Sequence, residues 1–268
     1  MALSYLHSSL KSLTTFCFAA YLVVLTFVAP ANAGKFMSSL KFDDSGEAIA
    51  VAVIYETSTA TQKPLLKSLK VGNKLMKKAL GFKGFALLQS QDGKQVVALS
   101  QWEDLDSYQA YTPMTSYKSK GKEGATPPPE PLQTLVFEVV ASQTAIEGAT
   151  PALRGKEAVV RFTQLTPKDP NDGEMRSQLL NYVEEIIEEV VPFALQSQPI
   201  PQSVIVLKEV DSGDLAIISN WNCSAVFEDV GKPVTEIAFG DDLAAIADTK
   251  QGLYDVVTII PSAPSNPK

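Results

Sequence analysis

The sequence predicts an α+β protein in which two β-α-β-β-α-β units pair through their antiparallel sheets. Two apolar strands follow Gly turns and end alike, in Ser100–Trp102 and Ser219–Trp221, with their tryptophans 119 residues apart. A period of that length is typical of a duplicated domain. The same order of strands and helices flanks both copies. Each unit would leave one sheet face uncovered, and the second unit supplies the cover.

The first unit has strands of apolar, partly β-branched residues and one long helix. Leu and Met recur near helical spacing in that helix, with Lys on its other faces. Asp92-Gly93 is a hairpin turn signal. The predicted elements are a strand Ala48–Glu56, a helix Gln62–Leu80, strands Gly84–Ser90 and Gln95–Trp102, a short helix Asp104–Tyr111 and a strand Leu132–Ala141.

The second unit repeats this order with an acidic helix in place of the basic one. Its elements are a strand Glu157–Leu165, a helix Glu174–Leu195, strands Gln202–Val210 and Asp214–Trp221, and a last strand Gly252–Ile260. Its second helix is either Ser224–Val230 or Asp241–Ala247. This order is the ferredoxin-like unit, a four-stranded antiparallel sheet with helices on one face.

These elements divide the chain into domains 36–142 and 153–262, joined by a linker 143–152 and followed by a disordered tail 263–268. Residues 1–33 read as a signal peptide, with an apolar run Phe16–Val28 before small residues at Ala31 and Ala33. We predict cleavage after Ala33 and export to the periplasm, the thylakoid lumen or the cell exterior. Retention of the segment as an uncleaved anchor is the alternative.

Cleavage would remove His7, the only histidine, and Cys17, leaving Cys223 without a disulfide partner. A mature chain without histidine excludes His-ligated haem, His-based metal sites and Ser-His-Asp catalysis. We therefore expect no metal and no cofactor.

Charge is unevenly distributed between the two halves. Residues 34–150 carry 13 Lys and 12 acidic residues, whereas residues 151–268 carry 9 basic and 18 acidic residues. Neither half has the clustered basic excess of a nucleic-acid-binding surface. The lysines between Lys63 and Lys78 could contact an anionic membrane or an acidic protein. A solvated helix face is the simpler interpretation, and the oligomeric state is left open.

The segment Ser100–Tyr111 resembles the antibiotic biosynthesis monooxygenase superfamily, in which a Trp ends the third strand before an acidic, Ser-rich helix that carries an aromatic residue. The resemblance implies a dimeric α/β barrel, here formed within one chain by tandem duplication. It also implies a cavity between sheet and helices, lined by Trp102 and by Tyr108 six residues later. Those two are the predicted catalytic residues, and Tyr55 and Tyr111 complete the predicted ligand-binding set.

The sequence departs from the known catalytic sets of that family. The Asn expected four residues before the Trp is Ala98 in the first half and Ile217 in the second. The first half has no arginine to match the cavity Arg of the family. In the second half, Phe227 stands six residues after Trp221, where the family has a Tyr. Three functions therefore stay open: a cofactor-independent monooxygenase acting on a small aromatic or phenolic compound, a binding protein for a small aromatic or apolar ligand, and a scaffold or assembly factor that docks through its charged helices.

Overall fold

The computed structural model describes residues 38–42, 46–111, 129–155, 158–221, 227, 231 and 233–261, without the side chains of 71–75. The predicted signal peptide, most of the loop between the first-half helix and strand, Cys223 and the tail lie outside these residues.

The chain alternates strands with helices. The strands are β1 (Ser39–Lys41), β2 (Ile49–Glu56), β3 (Phe82–Ser90), β4 (Gln95–Trp102), β5 (Gln133–Thr144), β6 (Ala152–Arg154), β7 (Val159–Pro167), β8 (Ser203–Glu209), β9 (Leu215–Trp221) and β10 (Ala247–Pro261). The helices are α1 (Gln62–Met76), α2 (Leu105–Tyr111), α3 (Gly173–Glu185), α4 (Val191–Ala194) and α5 (Asp241–Ile246), and a π-helical turn (Ile186–Val190) joins α3 to α4.

Eight strands close into one antiparallel barrel, in the order β10-β3-β4-β2-β5-β8-β9-β7. Each half contributes its strands in the same spatial order, second, third, first and fourth. The fourth strand of each half pairs with the second strand of the other, so β5–β8 and β10–β3 are the seams. The predicted pseudo-dimeric α/β barrel is confirmed.

Strand alternation separates a lumen core from two outer cores. In β2, Ala50, Ala52 and Ile54 belong to the lumen core. The residues between them face outward, and Val51 and Tyr55 pack with the leucines of α1. Because both strand faces are buried, the strands are almost continuously apolar. The second half has its own outer core, which includes Leu179 of α3.

The short strands β1 and β6 were not predicted. They pair with each other and place Leu40, Phe42 and Leu153 in the lumen core. Leu40 lies against Gly84, where a Cβ would come within 2.5 Å of its Cδ1 atom. The pair plugs one end of the barrel, and β6 begins at Ala152, the last residue of the predicted linker.

Helix α1 ends earlier than its apolar spacing predicts. It stops at Met76, and Leu80, expected on the apolar face, is 88 % exposed. Among the described residues, no helix has the length and apolar character needed to cross a bilayer.

Candidate functional site

Three of the four residues predicted to bind a ligand, Trp102, Tyr108 and Tyr111, lie together on the outside of the first-half sheet. Trp102 ends β4 and is 0 % exposed. Tyr55 belongs to the same outer core, but it pairs with Val96, at the other end of β2 from Ile49, the partner of Trp102. The Trp102 indole Nε1 donates a hydrogen bond to Ser100 Oγ at 2.9 Å. Its one polar group is therefore satisfied inside the protein.

Aromatic rings surround Trp102. The ring centroids of Phe82, Tyr108 and Tyr111 lie 5.6, 5.8 and 5.0 Å from that of Trp102. Such pairs stabilise a core beyond the area they bury. This arrangement, which we call the Trp102 cluster, is that of a packed core, and a role for Tyr55, Trp102, Tyr108 and Tyr111 in ligand binding or catalysis stays a prediction.

The second half places Trp221 at the matching position. Trp221 is paired with Val159 as Trp102 is paired with Ile49. Its indole Nε1 donates to the Pro199 carbonyl at 2.8 Å. Phe227 lies 6.3 Å from the Trp221 ring, so no phenol hydroxyl takes the place that Tyr108 has in the first half.

A cavity of about 740 Å³ adjoins Trp221, between the sheet and the helical segment of the second half. Its volume is within the usual range for small-molecule sites. The residues that matter for its chemistry are Arg161, Glu189, Phe193, Pro199, Trp221 and Phe239. We call it the Trp221 cavity.

Arg161 is the unusual residue of this cavity. It pairs with Ser219 across β7 and β9, as Val51 pairs with Ser100 across β2 and β4, so Arg161 replaces a buried valine. The guanidinium lies 5.4 Å from the centroid of the Trp221 ring, close enough for a cation–π contact.

Arg161 is only 7 % exposed, and its charge has little internal compensation. Nη1 donates to the Val234 carbonyl at 3.2 Å, and the buried Nε has no hydrogen-bond partner. Among the described residues, no carboxylate forms an ion pair with it. Burial lowers the pKa of Arg161, yet an arginine side chain stays protonated in proteins. The cavity is therefore lined by a buried cation whose charge has no carboxylate partner among the described residues.

Sequence reasoning missed Arg161, although a signal was present. It is one of three arginines in the chain, and it interrupts an otherwise apolar run from Ala158 to Phe162. Aligning the halves on the tryptophan motif did not reveal which strand residue faces that tryptophan.

Within the described residues, no three His, Cys, Asp or Glu side chains are grouped so that they could hold a metal ion.

No protein-family model and no curated protein matches the chain. Solved structures do. An anthrone oxidase-like protein is 13 % identical, with 84 % of this chain and 98 % of that chain covered and a TM-score of 0.57. A candidate monooxygenase from Fusobacterium nucleatum subsp. nucleatum is 14 % identical, with 81 % and 95 % covered and a TM-score of 0.50.

A ferredoxin fold protein from Listeria monocytogenes, related to antibiotic biosynthesis monooxygenases, is 12 % identical, with 79 % of this chain and 96 % of that chain covered and a TM-score of 0.34. The fold comparison itself rests on the first two structures. The chain shares the fold of the first two structures, and this is the α/β barrel that the resemblance of Ser100–Tyr111 implies.

Proposed function

We propose that this chain is a monooxygenase-like protein that binds a small phenolic compound, as its anion, in the Trp221 cavity. The observation that carries the proposal is Arg161, a buried guanidinium without a carboxylate partner among the described residues. Burying an unpaired charge destabilises the folded protein by several kcal/mol. A ligand that brings a negative charge into the cavity would offset that cost.

The aromatic residues that line the cavity favour a planar ligand. Trp221 forms one side, and the rings of Phe193 and Phe239 line the space opposite the sheet. Aromatic side chains stack on planar aromatic compounds with little loss of their own freedom. The phenolate oxygen would then face the guanidinium of Arg161, which lines the cavity.

The same geometry suits oxygenation without a cofactor. Arg161 stabilises the phenolate relative to the phenol, so the phenol releases its proton to solvent on binding. The electron-rich anion then reacts with oxygen. One oxygen atom becomes a carbonyl on the ring carbon para to the hydroxyl group. The other leaves as water with the hydrogen of that carbon and the proton given up by the phenol, so no external reductant is consumed.

Oxygen uptake and ligand binding test the proposal together. The purified protein is titrated with 1,8-dihydroxyanthrone, a tricyclic phenol, and binding is followed by tryptophan fluorescence while an electrode records oxygen. Arg161→Gln should weaken binding at least about tenfold, as expected for a lost charged hydrogen bond. Arg154→Gln, which removes a positive charge from β6, is the matched control and should bind like the wild type.

Affinity should also rise as the pH passes the pKa of the free phenol, in the wild type but not in Arg161→Gln. Equal binding by the two proteins at every pH would contradict the proposal, as would the absence of saturable binding to the wild type.

Binding without turnover is the second candidate, and specific residues favour it. Ile217 stands where the family has an Asn, and Phe227 stands where it has a Tyr, so two hydrogen-bonding groups are missing from this half. Saturable binding with oxygen uptake no faster than in buffer would favour this function over oxygenation.

Export is a separate proposal, supported by the sequence of residues 1–33. The mass of the protein isolated from its host should correspond to a chain that begins at Gly34. A mass that includes the apolar run Phe16–Val28 would instead favour a retained anchor.

A further inference from the structure

One end of the barrel lumen is polar, although the rest of the lumen is apolar. Ala158, just before β7, and Val160 and Phe162 of β7 face inward in the lumen core, and alternation places Gln164 next in the same row. In β4, Gln95 lies in the same inward-facing row as Val97 and Leu99. These positions lie at the opposite end of the strands from the β1–β6 plug.

A cavity of about 300 Å³ opens at this end, which we call the barrel mouth. Ile54 and Phe162 form its apolar inner side, and Gln95, Gln164 and Tyr254 contribute its polar groups. The volume is at the lower end of the range for small-molecule sites.

Gln164 is the residue that the packing does not explain. It is 6 % exposed, and its side-chain amide forms no hydrogen bond to any of the described residues. Its amide atoms are open to the cavity, where water or a ligand can form hydrogen bonds with them. The amide of Gln164 therefore has both a donor and an acceptor available at the cavity.

Tyr254 fixes the orientation of the second amide. Its hydroxyl donates to Gln95 Oε1 at 2.6 Å. Burial, with a smaller effect of Asp92, raises the pKa of Tyr254 to about 12, so the hydroxyl stays protonated at neutral pH. Because Oε1 of Gln95 is already an acceptor for Tyr254, its Nε2 group is the atom left to donate into the cavity.

We propose that the barrel mouth is a second ligand site, for a small neutral polyhydroxyl compound of monosaccharide size. Two amides that donate and accept match adjacent hydroxyl groups, and Ile54 and Phe162 can pack against the C–H face of a sugar ring. The charged residues of the cavity are exposed on its rim, namely Asp92, Lys94 and Lys250. A charged ligand would have no buried partner there, unlike in the Trp221 cavity.

Titration of the purified protein with D-glucose, D-galactose, D-mannose and myo-inositol tests the proposal, with saturation-transfer NMR and calorimetry as readouts. At least one of these compounds should bind saturably to the wild type. Gln164→Leu keeps the side-chain volume but removes the amide. It should weaken that binding roughly tenfold or more, because the hydrogen bonds of the amide to the ligand are lost.

Gln109→Leu, on the exposed side of α2, is the matched control and should bind like the wild type. Gly252→Val is a second variant, because a Cβ at Gly252 already comes within 3.0 Å of the Tyr254 ring and a larger side chain would fill the cavity. Gly252→Val should also abolish binding, although it leaves the side-chain amides of Gln95 and Gln164 in place.

The proposal is overturned if none of the four compounds binds saturably to the wild type, or if Gln164→Leu binds them unchanged. Competition by L-glutamate, a charged compound, would overturn the neutral ligand class. Arg161→Gln should retain the binding of these compounds, so this result is separate from the fate of the phenolate proposal.

Discussion

The two halves of the barrel share a strand order, yet they use the space between sheet and helices in opposite ways. In the first half, Val51 and the rings around Trp102 fill that space with apolar groups. In the second half, Arg161 takes the place of Val51, and a cavity of about 740 Å³ adjoins Trp221. The difference shows that closing the barrel does not require both outer cores to be filled.

Packing in the first half can support an energetically poor arrangement in the second. A cavity forfeits dispersion contacts, and a buried unpaired cation is costly. Functional sites are the places where such costs are normally found. The Trp102 cluster, by contrast, has the features of a stabilising core.

The largest effect is expected from making the first half resemble the second. Val51→Arg would place a charge and extra volume in a packed apolar core. We expect a loss of roughly 5 kcal/mol or more in the free energy of unfolding, since overpacking and an unpaired buried charge both contribute. Urea denaturation measures it, with the exposed Thr134→Arg on β5 as control. A stable Val51→Arg protein would mean that the first half also has room for a ligand.

The two tryptophans should differ in what they contribute to stability. Trp102→Ala removes a ring packed against three others and should cost about 3–5 kcal/mol. Trp221→Ala should cost less, because part of its surroundings is already a cavity. Equal losses in denaturant unfolding would contradict this contrast.

Removing the buried cation should stabilise the protein while it impairs binding. We expect Arg161→Leu to raise the free energy of unfolding by about 1–3 kcal/mol, because an apolar residue replaces an unpaired buried charge. The same variant should bind 1,8-dihydroxyanthrone at least about tenfold more weakly. Thermal unfolding and fluorescence titration measure the two effects, and a destabilised variant would mean that the contacts of Arg161 with the Val234 carbonyl and the Trp221 ring outweigh the cost of its burial.

The smallest effect concerns a contact that joins the halves, the hydrogen bond from Tyr254 to Gln95. Burial, with a smaller effect of Asp92, raises the folded-state pKa of Tyr254 to about 12, above the usual 10.0 of a tyrosine. The stabilisation is therefore fully present below pH 10 or so and is lost as the pH rises through about 12. By about pH 11 we expect a loss of about 1 kcal/mol. Tyr254→Phe should lack this contribution, and parallel stability curves for the two proteins would contradict it.

Much of the fold could be predicted because the strands and helices repeat in order and the strands are long apolar runs. β1 and β6 could not, since three residues such as Ser39–Lys41 show no periodicity. Arg161 and Gln164 were missed for a related reason. Both sit in one strand, and periodicity alone does not tell which of two buried faces a residue occupies. Arg161 faces the helices and Gln164 faces the lumen. The two faces can be assigned only from the strand pairing of the closed barrel.

Both seams of the barrel, β5–β8 and β10–β3, join strands of the same chain. A barrel assembled from two chains comes apart on dilution, and its cavities are lost with it. Here the barrel closes within one chain, so its closure does not depend on protein concentration, and neither does the form of the Trp221 cavity. The joined halves are also free to differ, since a substitution such as valine to arginine need not appear twice in each molecule.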